Sequence, residues 1–132
     1  MLAHTDTNSG DQGATRCLSV VVPCYDEEST VLALLDKVLA SPWVTEVIVV
    51  DDGSTDGTQA QLSQVIDSRV KIVNRAVNNG KGAALRTGFS MATADFVIVQ
   101  DADLEYDPAE FGDLMRPLVS GLADVVYGTR FM

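Results

Sequence analysis

The sequence predicts an α/β fold, a doubly wound and mostly parallel sheet with helices on both faces and the core strand order 3-2-1-4. Three observations predict it. Short apolar, β-branched runs recur along the chain and are continuous rather than alternating, as suits strands buried on both faces. Segments with helical spacing separate them. The connections are short, so parallel strands joined by right-handed helical crossovers are the economical arrangement.

The elements follow in order. The strands are read at Leu18–Val22 (LSVVV), Glu46–Val50 (EVIVV), Val70–Val73 (VKIV), Phe96–Val99 (FVIV) and Asp124–Tyr127 (DVVY). In Ser29–Ala40, Val31, Leu32, Leu34, Leu35, Val38 and Leu39 form one wide apolar face, and Pro42 follows its end. Asp56–Ser68 carries Leu62, Val65 and Ile66, with Ser54, Thr55 and Asp56 as capping candidates. Gly82–Met91 carries Ala83, Ala84, Leu85 and Phe89. Asp107–Ser120 opens with an Asp N-cap and Pro108 at the first helical position, and Gly121 closes it. Trp43 is expected to pack near a proline, and Cys24 to be a passive loop thiol.

At 132 residues the chain is long enough for one domain with a genuine core. Residues 1–16 read as a disordered polar tail without the apolar stretch of a signal peptide, and 17–132 as the folded part. No apolar run approaches the roughly 20 residues of a membrane span. Cys17 and Cys24 match no zinc or redox spacing and read as free thiols in a reducing compartment, so a cytoplasmic location is expected. The only histidine, His4, lies in the tail, which argues against histidine catalysis. A formal net charge of −10 argues against nucleic acid and anionic membrane surfaces, both of which reward Lys and Arg.

Three acidic clusters fall where the strands end. In a doubly wound sheet, ligands sit at the carboxyl ends of strands 1 and 4, where the winding reverses. Those ends read PCYDEE and QDADLE, and the neighbouring strand 2 ends in DDGSTD. Asp101 and Asp103, at alternate positions leaving a strand, can point the same way and grip a hard divalent cation. Glu105 extends that parity. Clustered carboxylates repel unless a cation compensates. Asp52, at the end of a buried strand, is expected to accept hydrogen bonds from a ribose or base edge, whereas Asp56 and Asp107 read as caps. NNGKGAALRTG is neither a P-loop nor GxGxxG, yet it sets Lys81 between glycines just before a helix. Phosphate contact and a plain Asn-Gly turn both fit it. A divalent metal on Asp101 and Asp103, helped by Lys81, Arg86 or Arg130, would reconcile an acidic chain with a diphosphate ligand.

VVVPCYDEE, VIVVDDGSTDGT, NNGKGAALRTG, QDADLEYDP and YGTRF occur in the order of a family 2 glycosyltransferase, a resemblance running from Leu18 to the last residue. The branch that the chain resembles is that of dolichol-phosphate mannosyltransferase and bacterial polyprenyl-phosphate sugar transferases. The resemblance implies a GT-A fold (a Rossmann-like three-layer sandwich), a nucleotide-sugar donor, Mg²⁺ or Mn²⁺, and inversion at the sugar carbon. By position, it implies Pro23, Tyr25 and Glu27 in the nucleotide pocket and Val50 and Asp52 at the base or ribose. Asp101 and Asp103 take the place of the DXD motif, with Ala102 between them. Glu105 stands at a further metal contact and Arg130 near the donor phosphates; Lys81 joins the pocket. The catalytic set implied is thus Asp101, Asp103 and Arg130. Asp26 departs from the family's commoner Asn.

Family members continue beyond the equivalent of Met132 through segments that hold the acceptor. The chain is therefore expected to be truncated after strand 5, with a partner or oligomer covering the open sheet edge. The activity implied is transfer of a sugar, from a donor of the GDP-mannose or UDP-glucose type, to a polyprenyl phosphate or other acceptor. Such an acceptor would bring the chain to the membrane periphery. A donor-binding half-domain without turnover is the alternative. A haloacid-dehalogenase-type phosphatase fits less well, because it wants its first Asp after strand 1 and Thr or Val at Glu105.

Overall fold

The structure is a computed structural model that describes residues 16–103, 107–111, 113 and 115. Its elements are β1 (Leu18–Cys24), α1 (Val31–Leu39), β2 (Val44–Asp52), α2 (Thr58–Leu62), β3 (Val70–Arg75), α3 (Lys81–Met91), β4 (Phe96–Val99) and a 3₁₀ turn at Pro108–Glu110. The sheet is four-stranded in the order β3-β2-β1-β4, with every pairing parallel. This is the expected 3-2-1-4 arrangement of an α/β fold. Strand 5 and most of the last expected helix lie outside the described residues.

The period-2 alternation of strands sorts the core into two layers. Val20 and Val22 of β1, Val47 and Val49 of β2, and Ile98 of β4 pack with Val31, Leu34, Leu35 and Val38 of α1, with Leu62, and with Phe111 and Met115. On the other face, Val21, Ile48 and Val50 pack with Ala84 of α3. A Cβ at Gly88 would stand 2.4 Å from Val21 Cγ1, so the missing side chain lets α3 lie directly on β1. Among the described residues β4 has no strand on its outer side, and Val97 there is 37% exposed.

Two expectations need correction. The second helix stops at Leu62 rather than running to Ser68. The chain turns there, with Val65 N–H donating to the Leu62 carbonyl, and an Asp67 turn pairs with Arg69 at 3.0 Å. Val65 reaches the core from this turn, while Ile66 is 94% exposed. Cys24 is not a loop thiol: it ends β1, buried, beside Asp51. Trp43 is also buried, and its carbonyl accepts the N–H groups of Cys17 and Leu18.

Candidate functional site

A cleft of about 290 Å³ opens at the carboxyl ends of β1, β2 and β4. Eight of the expected site residues line it: Pro23, Tyr25, Glu27, Asp52, Lys81, Asp101, Ala102 and Asp103. Val50 does not; it is buried against α3 among Val21, Ile48 and Ala84. Glu105 and Arg130 lie outside the described residues.

The strand ends are laced together by the polar residues that follow them. Asp26 adopts φ 54°, a left-handed conformation that Asp tolerates better than most residues. Its Oδ1 accepts the backbone N–H of Thr55 at 2.8 Å and of Asp56 at 3.3 Å, and its own N–H donates to Ser54 Oγ at 2.9 Å. The departure from Asn thus puts a carboxylate over two amides of the β2–α2 turn. Glu28 Oε1 accepts Gly57 N–H at 2.6 Å, and Glu27 N–H donates to Thr58 Oγ1 at 2.9 Å. Asp56 accepts Thr58 N–H at 2.9 Å in the turn before α2, whose N-cap is Gly57 and not Asp56.

Asp51 and Asp52 end β2 on opposite faces and do different work. Asp51 is fully buried; it accepts the Ser54 hydroxyl and the Gln59 side-chain amide, the latter at 2.8 Å. Burial first, and then the Asp51 and Glu27 charges, push the Cys24 thiol up to about 12, leaving it protonated and unreactive. Asp52 sits in register with Arg75 of β3. Its Oδ1 pairs with Arg75 Nε at 3.3 Å and accepts Asn79 N–H at 3.1 Å, while Oδ2 accepts Gly80 N–H at 2.9 Å. Arg75 also donates to the Ala83 carbonyl and Thr87 hydroxyl of α3. Asp52 therefore clamps the loop that leads into Lys81. Asp52 also lines the cleft.

That loop presents the start of α3. Gly80 takes φ 96°, no side chain caps the helix, and Gly80, Lys81 and Ala84 line the cleft, so the first turn of α3 borders it with uncapped N–H groups, as suits an anion. Nothing lies within 4 Å of where a Gly80 Cβ would stand. Close approach elsewhere is tight: a Cβ at Gly53 would meet Asn78 N at 2.7 Å.

Opposite stands the Asp101–Asp103 segment. Lys81 Nζ lies 2.6 Å from Asp101 Oδ1, with the two side chains 56% and 28% exposed. The Thr30 hydroxyl, instead of capping α1, donates to the Ala102 carbonyl at 2.6 Å and ties this segment to the β1–α1 loop. Burial raises the Glu27 carboxyl above its ordinary value against the hydrogen bond from Thr30, and the charges of Asp103, Asp56 and Asp101 raise it further. The cleft is rich in negative charge, with Lys81 as a cation already drawn onto it.

Among the described residues, no three His, Cys, Asp or Glu side chains are close enough to hold an ion by themselves. Asp101 and Asp103 nevertheless suit a hard cation of the Mg²⁺ kind, which commonly takes one or two carboxylates and completes its shell with substrate phosphates and water. The Lys81 ammonium against Asp101 shows that this position attracts positive charge.

Sequence reasoning missed Thr30 and Arg75, which tie the site together, and Asn78 and Ala84, which line the cleft. Arg75 was discoverable, since opposite charges at the facing ends of two adjacent strands form a cross-strand pair. Thr30 carries no local signal.

The family model for glycosyl transferase family 2 matches residues 19–132. The chain belongs to this family. A family relative, the undecaprenyl-phosphate 4-deoxy-4-formamido-L-arabinose transferase of Pectobacterium carotovorum, is 37% identical over 124 residues, covering 86% of this chain and 36% of its own. Mycobacterium tuberculosis glucosyl-3-phosphoglycerate synthase, solved with Mn²⁺, UDP-glucose and phosphoglyceric acid, superimposes with a TM-score of 0.66 at 32% identity. That match covers 80% of this chain and 40% of the synthase. TarS 1–349 of S. aureus gives a TM-score of 0.70 at 26% identity, over 82% of this chain and 34% of its own. The three-layer arrangement is GT-A-like, and the chain spans about a third of the length of the family 2 relatives it matches.

Proposed function

We propose that the chain forms the donor-binding part of a glycosyltransferase that moves a sugar from a nucleotide-sugar to an acceptor oxygen, with inversion and with a divalent cation. The observation that carries this reading is the cleft itself. It sets Asp101 and Asp103 across from Lys81 and the uncapped start of α3, at the ends of β1 and β4.

Each residue has a task in it. Asp101 and Asp103 would hold Mg²⁺ or Mn²⁺, with Glu105 as a further ligand; bound there, the ion supplies positive charge to the departing diphosphate. Lys81, the N–H groups at the start of α3 and Arg130 bind and orient the diphosphate. Tyr25, Pro23 and Glu27 wall the nucleotide, and Asp52 keeps the Asn79–Gly80 loop in place beside it. With the diphosphate fixed, the far face of the sugar carbon is left open to an acceptor oxygen in line. An anionic acceptor oxygen needs no general base, which favours a polyprenyl phosphate. The undecaprenyl-phosphate relative supports that acceptor class, and the Mn²⁺ and UDP-glucose in the synthase support the donor chemistry. On this reading the reaction takes place at the cytoplasmic face of a membrane. No described helix is long and apolar enough to cross one.

The test is calorimetry with UDP and GDP, with and without Mn²⁺, followed by transfer from UDP-glucose or GDP-mannose to polyprenyl phosphate. Mn²⁺-dependent binding with slow transfer is expected. Binding without transfer would favour the donor-binding half-domain. No binding of either nucleotide would overturn the proposal.

A further inference from the structure

We propose that Lys81 is the resident counter-ion of the metal position: its ammonium holds Asp101 until a divalent cation arrives, then turns to the diphosphate. Metal and donor would in consequence bind together rather than separately. The inference deepens the proposed function and rests on its assignment of Asp101 and Asp103 to the metal.

Four observations support the exchange. The Nζ–Oδ1 distance of 2.6 Å places the ammonium beside the position a cation bound to Asp101 would take, so the two positive charges would repel each other there. The pair is weak enough to open, since both partners reach solvent and exposed ion pairs contribute little. The lysine has somewhere to go: it is the first residue of α3, next to Gly80, on whose side-chain side nothing lies within 4 Å of where a Cβ would stand, and no side chain caps the helix start. A flexible four-carbon stem lets one ammonium serve both positions. The segment that must receive the cation is itself held, because the Thr30 hydroxyl fixes the Ala102 carbonyl between the two carboxylates.

The consequence is an order of events. Without nucleotide, an incoming cation must displace Lys81 and leave the ammonium without a partner. With a nucleoside diphosphate present, the displaced ammonium gains a phosphate oxygen, and the same displacement becomes favourable.

Binding of Mn²⁺ to the 132-residue chain, followed by the electron paramagnetic resonance of the free ion with and without UDP, tests the exchange. Without UDP, Lys81→Met and Lys81→Gln should bind Mn²⁺ about three- to fivefold more tightly than the wild type. Lys81→Arg, which keeps the charge, should stay at the wild-type level. At saturating Mn²⁺, the two neutral variants should bind UDP about tenfold more weakly. Opposite signs for metal and nucleotide are the signature, since a residue that only supported the fold would weaken both. Mn²⁺ binding by the neutral variants that is equal to or weaker than wild type overturns the exchange. Asp101→Asn probes the underlying assignment separately: if it leaves joint Mn²⁺ and UDP binding intact, the metal position itself is wrong, whatever Lys81 does. Lys81 is more than half exposed, so these variants keep the fold, which circular dichroism verifies.

Discussion

Glu46 sits at the end of the sheet away from the cleft and is 4% exposed. Its Oε1 accepts Lys71 Nζ at 2.8 Å; its Oε2 accepts Ser19 Oγ at 2.6 Å, Thr93 N–H at 2.6 Å and Thr93 Oγ1 at 2.9 Å. One carboxylate thus joins β1, β2, β3 and the connection from α3 to β4. Burial alone would raise its pKa, but the hydrogen bonds from Lys71, Ser19 and Thr93 outweigh it and lower the value from 4.5 to about 2. That gap corresponds to about 3 kcal/mol of stability. Lys71 is 46% exposed, and solvent screening brings the expected contribution to about 2 kcal/mol. The folded value lies below the unfolded one, so the stabilisation is fully present above about pH 4.5 and is lost as pH falls toward 2. Glu46→Gln should therefore cost about 2 kcal/mol at neutral pH, and the difference from the wild type should narrow across that window. Urea unfolding followed by the fluorescence of the single, buried Trp43 measures it. A difference that does not change with pH would refute the reasoning.

Three further outcomes are expected. Asp52→Ala should cost roughly 3 kcal/mol in urea unfolding by stranding the mostly buried Arg75, and should speed hydrogen exchange at Asn79 and Gly80; slow exchange there would mean that Asp52 does not hold the loop. Gly88→Ala should push α3 off Val21 and destabilise by about 1–3 kcal/mol, and a variant as stable as wild type would show that the helix has room to move. Cys17 and Cys24, with thiols pushed up to about 11 and about 12 mainly by burial, should react with a disulfide reagent at mildly alkaline pH only after unfolding; rapid native labelling of Cys24 would contradict its packing against Asp51.

The strand order was legible because doubly buried strands leave uninterrupted apolar runs, and β4 matches its expected bounds at Phe96–Val99. The site was legible to the extent that it is written at strand ends, where Glu27, Asp52 and Asp101 each follow or close such a run. What was hidden depends on partners far along the chain. Asp52 was read as reaching for a ligand, yet most of its acceptor capacity goes to amides 27 and 28 residues later and to Arg75. The effect of Asp26 could not be foreseen, because it depends on how the β1–α1 loop meets the β2–α2 turn. The shortened α2 has a related cause: Leu62, Val65 and Ile66 keep helical spacing, but a turn at Ser63–Gln64 delivers Val65 to the core equally well.

On the proposed function, Asp101 and Asp103 bind a divalent cation together with a nucleoside diphosphate. Titration calorimetry of UDP and GDP into the wild type, Asp101→Ala, Asp103→Ala and the surface control Asp36→Ala, each with and without Mn²⁺, tests it most directly. Mn²⁺-dependent binding is expected of the wild type and Asp36→Ala, with its loss in both cleft variants. Binding by Asp103→Ala as tight as the wild type, and indifferent to Mn²⁺, would contradict it.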